Sequence, residues 1–420
     1  MKLIKDSIVY ALSSALSKGM PFLMLPFFTF YLQKEEFGTL VLFLSISSIF
    51  LALIGMSFGN LISKEFHIKN KKEISVVIGS VLYLLLINSG VSLFLAIFAY
   101  TLFDNIFSIP SIYLIAIPFI VFGAMVNQII LVVFRCTGMA IYFGILEFLT
   151  AFLTFLIVIF SLIYLDQGWL SQVIGMMFGI NLVALFSIYY LYKHKYLSLK
   201  FHLYNVLKAY KFLIPLIPHV LGSVLIFYSD RFFIDFMIGT DEVAIYSLGY
   251  SFGMAVFLFT NSILKAWDPW FHKQIVKSSK EKIDIVKKTY ILIIVFLFFG
   301  WLVTFVGESL LPYVTDGNYI GSSDYIRWIA MGFSIHGIYG IFFLYVIHLE
   351  KTYILGLVTT FSALINLLLN YILIIEFGAI GVAYATIIAF TISAILLFEF
   401  QRRNLHMPWM DRKLLYQSSN

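Results

Sequence analysis

The chain has 420 residues, of which 61% are hydrophobic and only 12% are charged. A soluble domain carries roughly a quarter charged residues, so this composition excludes a soluble globular protein and predicts a membrane protein. The formal net charge of +6 would suggest a nucleic-acid partner in a soluble protein. Here the cations lie in loops beside the apolar stretches, so orientation and contact with anionic membrane lipids explain them, and no nucleic-acid partner is expected.

Twelve long apolar stretches follow one another along the chain. A bilayer core of about 30 Å needs about 20 helical residues for each crossing, and every stretch reaches that length. The predicted spans are 8–32, 38–62, 75–101, 112–133, 142–165, 169–192, 212–238, 243–264, 289–311, 326–348, 352–375 and 380–400. We therefore predict an all-α integral membrane protein with 12 transmembrane helices.

The cations between these stretches indicate the orientation of the chain. Outside the stretches, every Lys and Arg except Lys34 falls on one side of the predicted membrane. Cytoplasmic loops collect these residues, so both termini are predicted to be cytoplasmic in a multi-pass protein of the bacterial inner membrane. The first stretch is long enough to span, so we interpret it as a retained helix and not as a cleaved signal.

The second half of the chain repeats the first at a shift of about 210 residues. Glu35-Glu36 matches Asp241-Glu242, and Asp166-Gln167-Gly168 matches Glu376-Phe377-Gly378. We predict two pseudo-symmetric six-helix lobes, residues 1–200 and 201–420, joined by a basic linker at about 193–211. Because six is even, the lobes would be related by an axis along the membrane normal, with a cavity between them that permits alternating access.

Polar side chains recur at helical spacing in several predicted spans, and lipid cannot satisfy them, so they must face protein or water. Candidate cavity residues of this kind are Glu147, Asn261, Lys265 and Asn366, the last followed by Asn370 on the same stripe. The repeat superposes the stripe of Glu147 on that of Asn366. The alternative interpretation is that these groups bridge packed helices.

Lys18 is the cation nearest the middle of a predicted span. It lies about ten residues into span one, roughly 15 Å at the helical rise. A charge at this depth costs a few kcal/mol or more unless it is hydrated or paired. Two interpretations stay open: Lys18 contacts an anionic substrate in a hydrated cavity, or it forms a structural pair, for which Glu147 is the candidate partner.

Two further intramembrane arginines, Arg231 and Arg327, are candidates for substrate binding. Asp230 and Asp235 flank Arg231 and allow a local ion pair at helical spacing, while Glu308 and Arg327 fall at a similar depth. A structural charge network at the outer rim, made of Asp230, Arg231, Asp235 and Glu308, is the competing interpretation.

Paired prolines occur in the first span of each predicted lobe: Pro21 and Pro26 in one, Pro215 and Pro218 in the other. Each removes a helix hydrogen bond and permits a bend. They are candidate hinges for opening and closing, or else static kinks.

No catalytic pattern is present. The sequence has no Gly-rich phosphate loop, no His-Glu-x-x-His and no nucleophile elbow, and its single cysteine, Cys136, excludes a cysteine-based metal site. We therefore expect no enzyme, no metal and no cofactor, and transport would draw on an ion gradient, the membrane potential or the substrate gradient.

Several motifs carry a family resemblance over essentially the whole chain. They are Pro26-Phe27-Phe28-Thr29-Phe30-Tyr31 with Glu36-Phe37-Gly38, then Leu213-Ile214-Pro215-Leu216-Ile217-Pro218-His219, Ser229-Asp230-Arg231-Phe232-Phe233, Tyr246-Ser247-Leu248-Gly249-Tyr250 and Trp267-Asp268-Pro269-Trp270. In order and spacing they resemble Wzx-type O-antigen flippases, of the polysaccharide transporter branch of the multidrug/oligosaccharidyl-lipid/polysaccharide exporter superfamily.

The resemblance implies a flippase that moves undecaprenyl-pyrophosphate-linked oligosaccharide repeat units from the cytoplasmic to the periplasmic leaflet by alternating access, in lipopolysaccharide or other polysaccharide biosynthesis. Implied partners are this lipid-linked sugar, membrane lipids, and polymerase and chain-length proteins of the same pathway. Related lipid II flippases carry several arginines around the central cavity, whereas only Lys18 is central here.

Other functions remain open. A drug/cation antiporter of the same superfamily would place acids at the cavity centre, and a lipid II flippase would share the fold. An O-antigen polymerase or ligase generally needs a substantial periplasmic loop, which this sequence does not show.

Overall fold

The computed structural model describes residues 2–55, 58–201, 203–214, 217–276, 279–315 and 317–409. The helices are α1 (Lys2–Tyr31), α2 (Lys34–Gly55), α3 (Phe58–Phe66), α4 (Lys71–Leu102), α5 (Ala116–Cys136), α6 (Ala140–Ile163), α7 (Leu170–Gly175), α8 (Asn181–Lys193), α9 (Leu203–Leu213), α10 (Ile217–Met237), α11 (Thr240–Ile275), α12 (Ser279–Thr315), α13 (Ser323–His348), α14 (Tyr353–Phe377) and α15 (Ile380–Asn404). Short strands β1 (Asn105–Ile106) and β2 (Ile109–Pro110) pair antiparallel between α4 and α5.

The prediction of an all-α membrane protein is confirmed. Within the described residues, 10 segments are long and apolar enough to cross a membrane. Predicted spans one and seven correspond to α1 and α10, which lie outside that set. The total of twelve spans and the cytoplasmic termini stay predictions.

Several helices are longer than their predicted spans. Helix α11 ends at Ile275 and α12 runs from Ser279 to Thr315, well beyond 243–264 and 289–311. A hydropathy window detects only the apolar portion of a helix, whereas backbone hydrogen bonding continues into water. Predicted span six is divided by a π-helical turn, Met176–Ile180, between α7 and α8.

The chain divides into two compact units, Met1–Val224 and Leu225–Asn420. The division falls inside α10, later than the boundary at residue 200 inferred from the repeat. Residues of α9 belong to the first unit because this helix packs on α3 and α4. The lobe boundaries drawn from the repeat stay a prediction.

The same helix pairings recur in both units. In the first, α1 packs on α6, α5 on α2, α4 and α8, and α6 on α7. In the second, α10 bonds to α14, α13 packs on α11, α12 and α15, and α14 packs on α15. Matching ends support the correspondence, since Glu35-Glu36 and Asp241-Glu242 occupy the first turns of α2 and α11. Favourable contact of acidic groups with a helix N-terminus explains that placement.

Two glycines that the repeat aligns share an unusual backbone. Gly168 has φ +53° and Gly378 has φ +66°. Residues with a Cβ rarely adopt this left-handed region, so glycine is the residue that fits both turns. The first of these turns precedes α7 and the second precedes α15.

Candidate functional site

A cluster of polar side chains is buried among four helices of the second unit. It contains Ser229 and Asp230 from α10, Tyr246 from α11, Asn366 and Asn370 from α14, and Thr386 from α15, all of them buried. Asn366 and Asn370 are one helical turn apart, so both amides lie on the same face of α14. We call this set the Asp230 cluster.

Asp230 is the centre of the cluster and is 0% exposed. Asn370 Nδ2 donates to Asp230 Oδ1 at 3.1 Å, and Thr386 Oγ1 donates to Oδ2 at 3.2 Å. The hydroxyl of Tyr246 also donates to Oδ2. Each carboxylate oxygen is therefore bound by a donor from a different helix, which is what a buried acid requires.

The remaining groups extend the same network. Ser229 Oγ donates to Asn366 Oδ1 at 3.2 Å, and Asn366 Nδ2 donates to Thr386 Oγ1 at 3.3 Å. Asn370 Nδ2 also reaches Ser229 Oγ at 3.2 Å. The other amide atom of Asn370, Oδ1, is buried without a hydrogen-bond partner among the described residues. An unused acceptor thus lies beside the carboxylate.

Arg231 follows Asp230 in sequence but points to a different environment. Its Nη1 donates to the Phe227 carbonyl at 2.6 Å, and its guanidinium lies 4.1 Å from the Tyr250 ring centroid. The Tyr228 ring is 5.3 Å away. A guanidinium stacked on aromatic faces is stabilised by cation–π attraction. Arg231 is 5% exposed, so its charge is nearly as buried as that of Asp230.

The cluster is a candidate functional site as well as a contact between helices. An ionisable group inside a membrane span is expensive, and it marks a functional position by default. Here one carboxylate, two amide oxygens and three hydroxyls converge. Such an oxygen-rich set can hold a proton or a small cation without contact with lipid.

The predicted outer-rim network is divided in the structure. Asp230 is bound within its cluster, whereas Asp235 Oδ1 accepts a bond from Thr240 Oγ1 at 2.7 Å. Glu308 pairs with Arg327, with 3.5 Å between Oε1 and Nη2. The Arg327 side chain is 66% exposed, so this pair lies at the protein surface.

The other candidate cavity residues lie apart from the Asp230 cluster. Asn261 is half-buried on α11, and its Nδ2 donates to the carbonyl of Phe257 on the same helix at 2.9 Å. Lys265 is exposed on α11, and Glu147 is half-buried on α6. Lys18 belongs to α1, and its side chain lies outside the described part of the structure. Of the seven predicted candidates, only Asn366 is a member of the cluster, with Arg231 beside it.

The candidate hinges differ in position. Pro21 and Pro26 lie inside the continuous helix α1. Pro218 lies on α10, close to residues outside the described part of the structure. Pro215 lies outside the described residues.

Sequence reasoning did not single out Tyr246 or Thr386 as site residues. Tyr246 appeared only within a family motif, and Thr386 is one of several hydroxyls on an apolar helix. The pair Asn366 and Asn370 was a signal that such residues exist. Buried amides and carboxylates require hydrogen-bond partners, and neighbouring helices must supply them. Which neighbours supply them depends on the packing of α11 and α15.

The first unit has a smaller buried polar group beside its π-helical turn. Asn127 Nδ2 donates to the Ile180 carbonyl at 3.0 Å, and Ser187 Oγ donates to Asn127 Oδ1 at 2.8 Å. Asn181 Nδ2 donates to the Met177 carbonyl at 2.8 Å. These bonds satisfy backbone groups that the wider turn displaces, so this group is interpreted as structural.

Solved structures of membrane exporters have the same fold. One described as lipid II flippase MurJ in an inward closed conformation matches with TM-score 0.74 and 16% identity, covering 95% of this chain and 87% of that one. An inward-facing multidrug resistance MATE family transporter of the MOP superfamily matches with TM-score 0.70 and 14% identity, covering 96% of each chain. At such identities the likeness shows the fold alone.

Sequence comparison adds relatives in Haemophilus influenzae. The protein named Lsg locus putative protein 1 is 23% identical over 333 residues, covering 77% of this chain and 80% of the relative. An uncharacterized membrane protein of the same organism is 22% identical and covers 78% of this chain. The family model described as polysaccharide biosynthesis protein matches residues 3–275, which is more than half of the chain. The chain therefore belongs to the polysaccharide biosynthesis protein family.

Proposed function

We propose that this protein is a flippase that moves an undecaprenyl-pyrophosphate-linked sugar repeat unit, such as an O-antigen unit, across the bacterial inner membrane by alternating access. One observation carries the proposal: a chain of the polysaccharide biosynthesis family has the fold of membrane exporters. A polysaccharide pathway needs such a transporter where a lipid-linked sugar made on one leaflet is used on the other.

Physical requirements of that substrate agree with the sequence. A pyrophosphate that crosses hydrocarbon needs a cationic, hydrated path. Lys18 is the proposed anion contact, because it is the cation predicted nearest mid-membrane. The lipid tail can stay in the bilayer while the sugar moves, so the protein needs polar groups only for the headgroup.

The first test uses bacterial cells that lack their own flippase of this class and express this chain. We expect surface glycan, assayed on gels, to return with the parent and to disappear with Lys18→Ala, while Lys18→Arg retains part of it. Insertion and protein level are measured in parallel by fluorescence-detected size-exclusion chromatography. Normal glycan from a well-inserted Lys18→Ala variant would remove Lys18 from the substrate path.

A drug/cation antiporter is a second candidate, and one observation favours it: the fully buried carboxylate of Asp230 lies on a fold shared with a multidrug transporter. The two candidates separate in one assay. The same cells, also lacking their drug exporters, are challenged with cationic dyes and drugs. Restored drug resistance without restored glycan would favour the antiporter and overturn the flippase proposal.

A further inference from the structure

The segment that joins α8 to α10 has an unusual composition. From Lys193 to Ile214 it contains five lysines and no Asp or Glu. Large apolar side chains alternate with these cations, and several are exposed: Leu199, Phe201, Leu203, Tyr204 and Leu207. Charge repulsion and apolar exposure together disfavour a segment that is surrounded only by water.

Helix α9, within this segment, has two distinct faces. Val206, Ala209 and Leu213 are buried, and the helix packs on α3 and α4. On the opposite face, Tyr204 is 76% exposed and Leu207 is 57% exposed. An amphipathic helix with an unpartnered apolar face is typical of a helix that lies in a membrane interface.

Hydrogen bonds hold this segment at a defined position along the axis of α4. Ser198 N donates to the Ser75 carbonyl at 3.0 Å, and the hydroxyl of Tyr83 donates to the Leu199 carbonyl. Further along α4, the hydroxyl of Tyr210 donates to Asn88 Oδ1. Helix α9 therefore lies at the level of the part of α4 between residues 83 and 88, with its exposed face turned away from α4.

The exposed apolar surface of α4 begins at this part of the helix. From Ile74 to Leu85 no side chain is exposed, whereas Leu86 is 50% exposed, and large exposed apolar side chains then recur as far as Leu102. This surface covers about 17 residues or about 25 Å of helix, close to the hydrocarbon thickness of a bilayer. One edge of the apolar layer thus lies at the level of α9.

The cations are suited to contact with lipid phosphates at that edge. Lys200, Lys208 and Lys211 are exposed on or beside α9. Nearby, Lys64 Nζ lies 4.9 Å from the Phe212 ring centroid, and Lys71 Nζ lies 4.5 Å from the Tyr196 ring centroid. Long basic side chains beside aromatic rings are enriched where protein meets lipid headgroups.

We propose that residues 199–201 and 203–211 form an interfacial anchor that binds anionic phospholipid headgroups. The side chains of Leu203, Tyr204 and Leu207 enter the boundary between headgroups and acyl chains, while the lysines contact lipid phosphates. Charge complementarity favours anionic lipid as the occupant, because the segment has no acid that would attract a basic partner. The inference is independent of which substrate the protein transports.

The test uses the full chain reconstituted in nanodiscs of phosphatidylglycerol or phosphatidylcholine. A bimane label is attached at Tyr204→Cys in a Cys136→Ser background, and quenching by brominated lipid reports contact. We expect strong quenching in both lipids and a preference for phosphatidylglycerol in mixed discs. The triple variant Lys200→Gln, Lys208→Gln, Lys211→Gln should lose roughly fivefold or more of that preference, since each lysine near an anionic surface contributes about a factor of five.

A charge-matched control separates α9 from net charge. The variant Lys273→Gln, Lys282→Gln, Lys287→Gln removes the same charge from α11 and α12 and should keep the preference. If neither lipid quenched the label, the proposal of an interfacial anchor would be wrong, and the exposed face of α9 would contact a protein partner or water. Equal binding of the two lipids by the parent, or an equal loss in the control, would overturn the headgroup assignment.

Discussion

Asp230 shows how one buried residue constrains its surroundings. Its carboxylate is 0% exposed and receives bonds from Tyr246, Asn370 and Thr386. Three helices thus contribute a donor to an acid on a fourth. An acid in this position stabilises the fold only while those donors and an opposite charge remain. The sequence neighbour Arg231 carries a buried opposite charge nearby, although the two side chains form no ion pair within the described residues.

The first prediction concerns these two neighbouring buried charges. Arg231→Ala should lower the melting temperature and the amount of folded protein, because it leaves the buried charge of Asp230 without a compensating cation. Such a loss costs about 3 to 5 kcal/mol where the two charges are directly paired. Asp230→Asn in the same chain should restore much of the loss, since the remaining side chain is then neutral. Thermal stability in detergent, read by fluorescence-detected size-exclusion chromatography, measures both effects.

Arg327→Ala is the matched control. Its partner Glu308 is 35% exposed and Arg327 is 66% exposed, and surface pairs contribute about 0 to 1 kcal/mol. We expect almost no change in melting temperature. A fully stable Arg231→Ala protein that has lost transport would contradict the structural role and assign Arg231 to the substrate.

At the scale of elements, the contact of α11 with α13 depends on small residues. A Cβ added at Gly249 would lie 2.7 Å from the Ser322 carbonyl oxygen and 2.8 Å from the Tyr325 Cβ. Gly253 makes a similar approach to Ile329 one turn later. Small residues let membrane helices approach closely, so van der Waals contact can replace the hydrophobic effect that lipid removes.

Gly249→Ala should therefore destabilise the second unit by about 1 to 3 kcal/mol, because the added methyl group overpacks the contact between α11 and α13. Gly356→Ala is the comparison, because a Cβ at Gly356 on α14 would meet no atom within 4 Å. That change should be neutral or slightly stabilising through helix propensity. Equal melting temperatures for the two variants would mean that α11 and α13 adjust at no cost.

For the whole molecule, the distribution of Lys and Arg predicts the topology. A reporter fused after Lys280, in the first turn of α12, should be cytoplasmic, and one inserted at residues 316–324, where α12 is followed by α13, should be periplasmic. Cations are retained on the cytoplasmic side during insertion, which is the physical reason. Alkaline phosphatase and green fluorescent protein activities report the two sides, and reversed activities would refute the orientation.

Sequence alone was sufficient for the fold class and for the correspondence of many helices. Membrane insertion imposes a length and an apolar composition on each span, and both are readable without the structure. The repeat was also visible, since Gly168 and Gly378 have positive φ in turns that the sequence aligned. The exact helix ends could not be predicted from the sequence, because α11 and α12 continue beyond their apolar portions.

The site depended on tertiary structure. The sequence predicted that Asn366 faces protein or water and that Arg231 lies inside a span, and it allowed Asp230 and Asp235 to pair with Arg231. Spacing of three or four residues permits such contacts without selecting among them, and the choice depends on which side chains the neighbouring helices present. Packing of α14 and α15 directs Asp230 to Asn370 and Thr386, while the rings of Tyr228 and Tyr250 hold the guanidinium. Periodicity within one helix therefore indicated which polar residues share a face, and only the assembled helices decided which of them are buried and which of them meet.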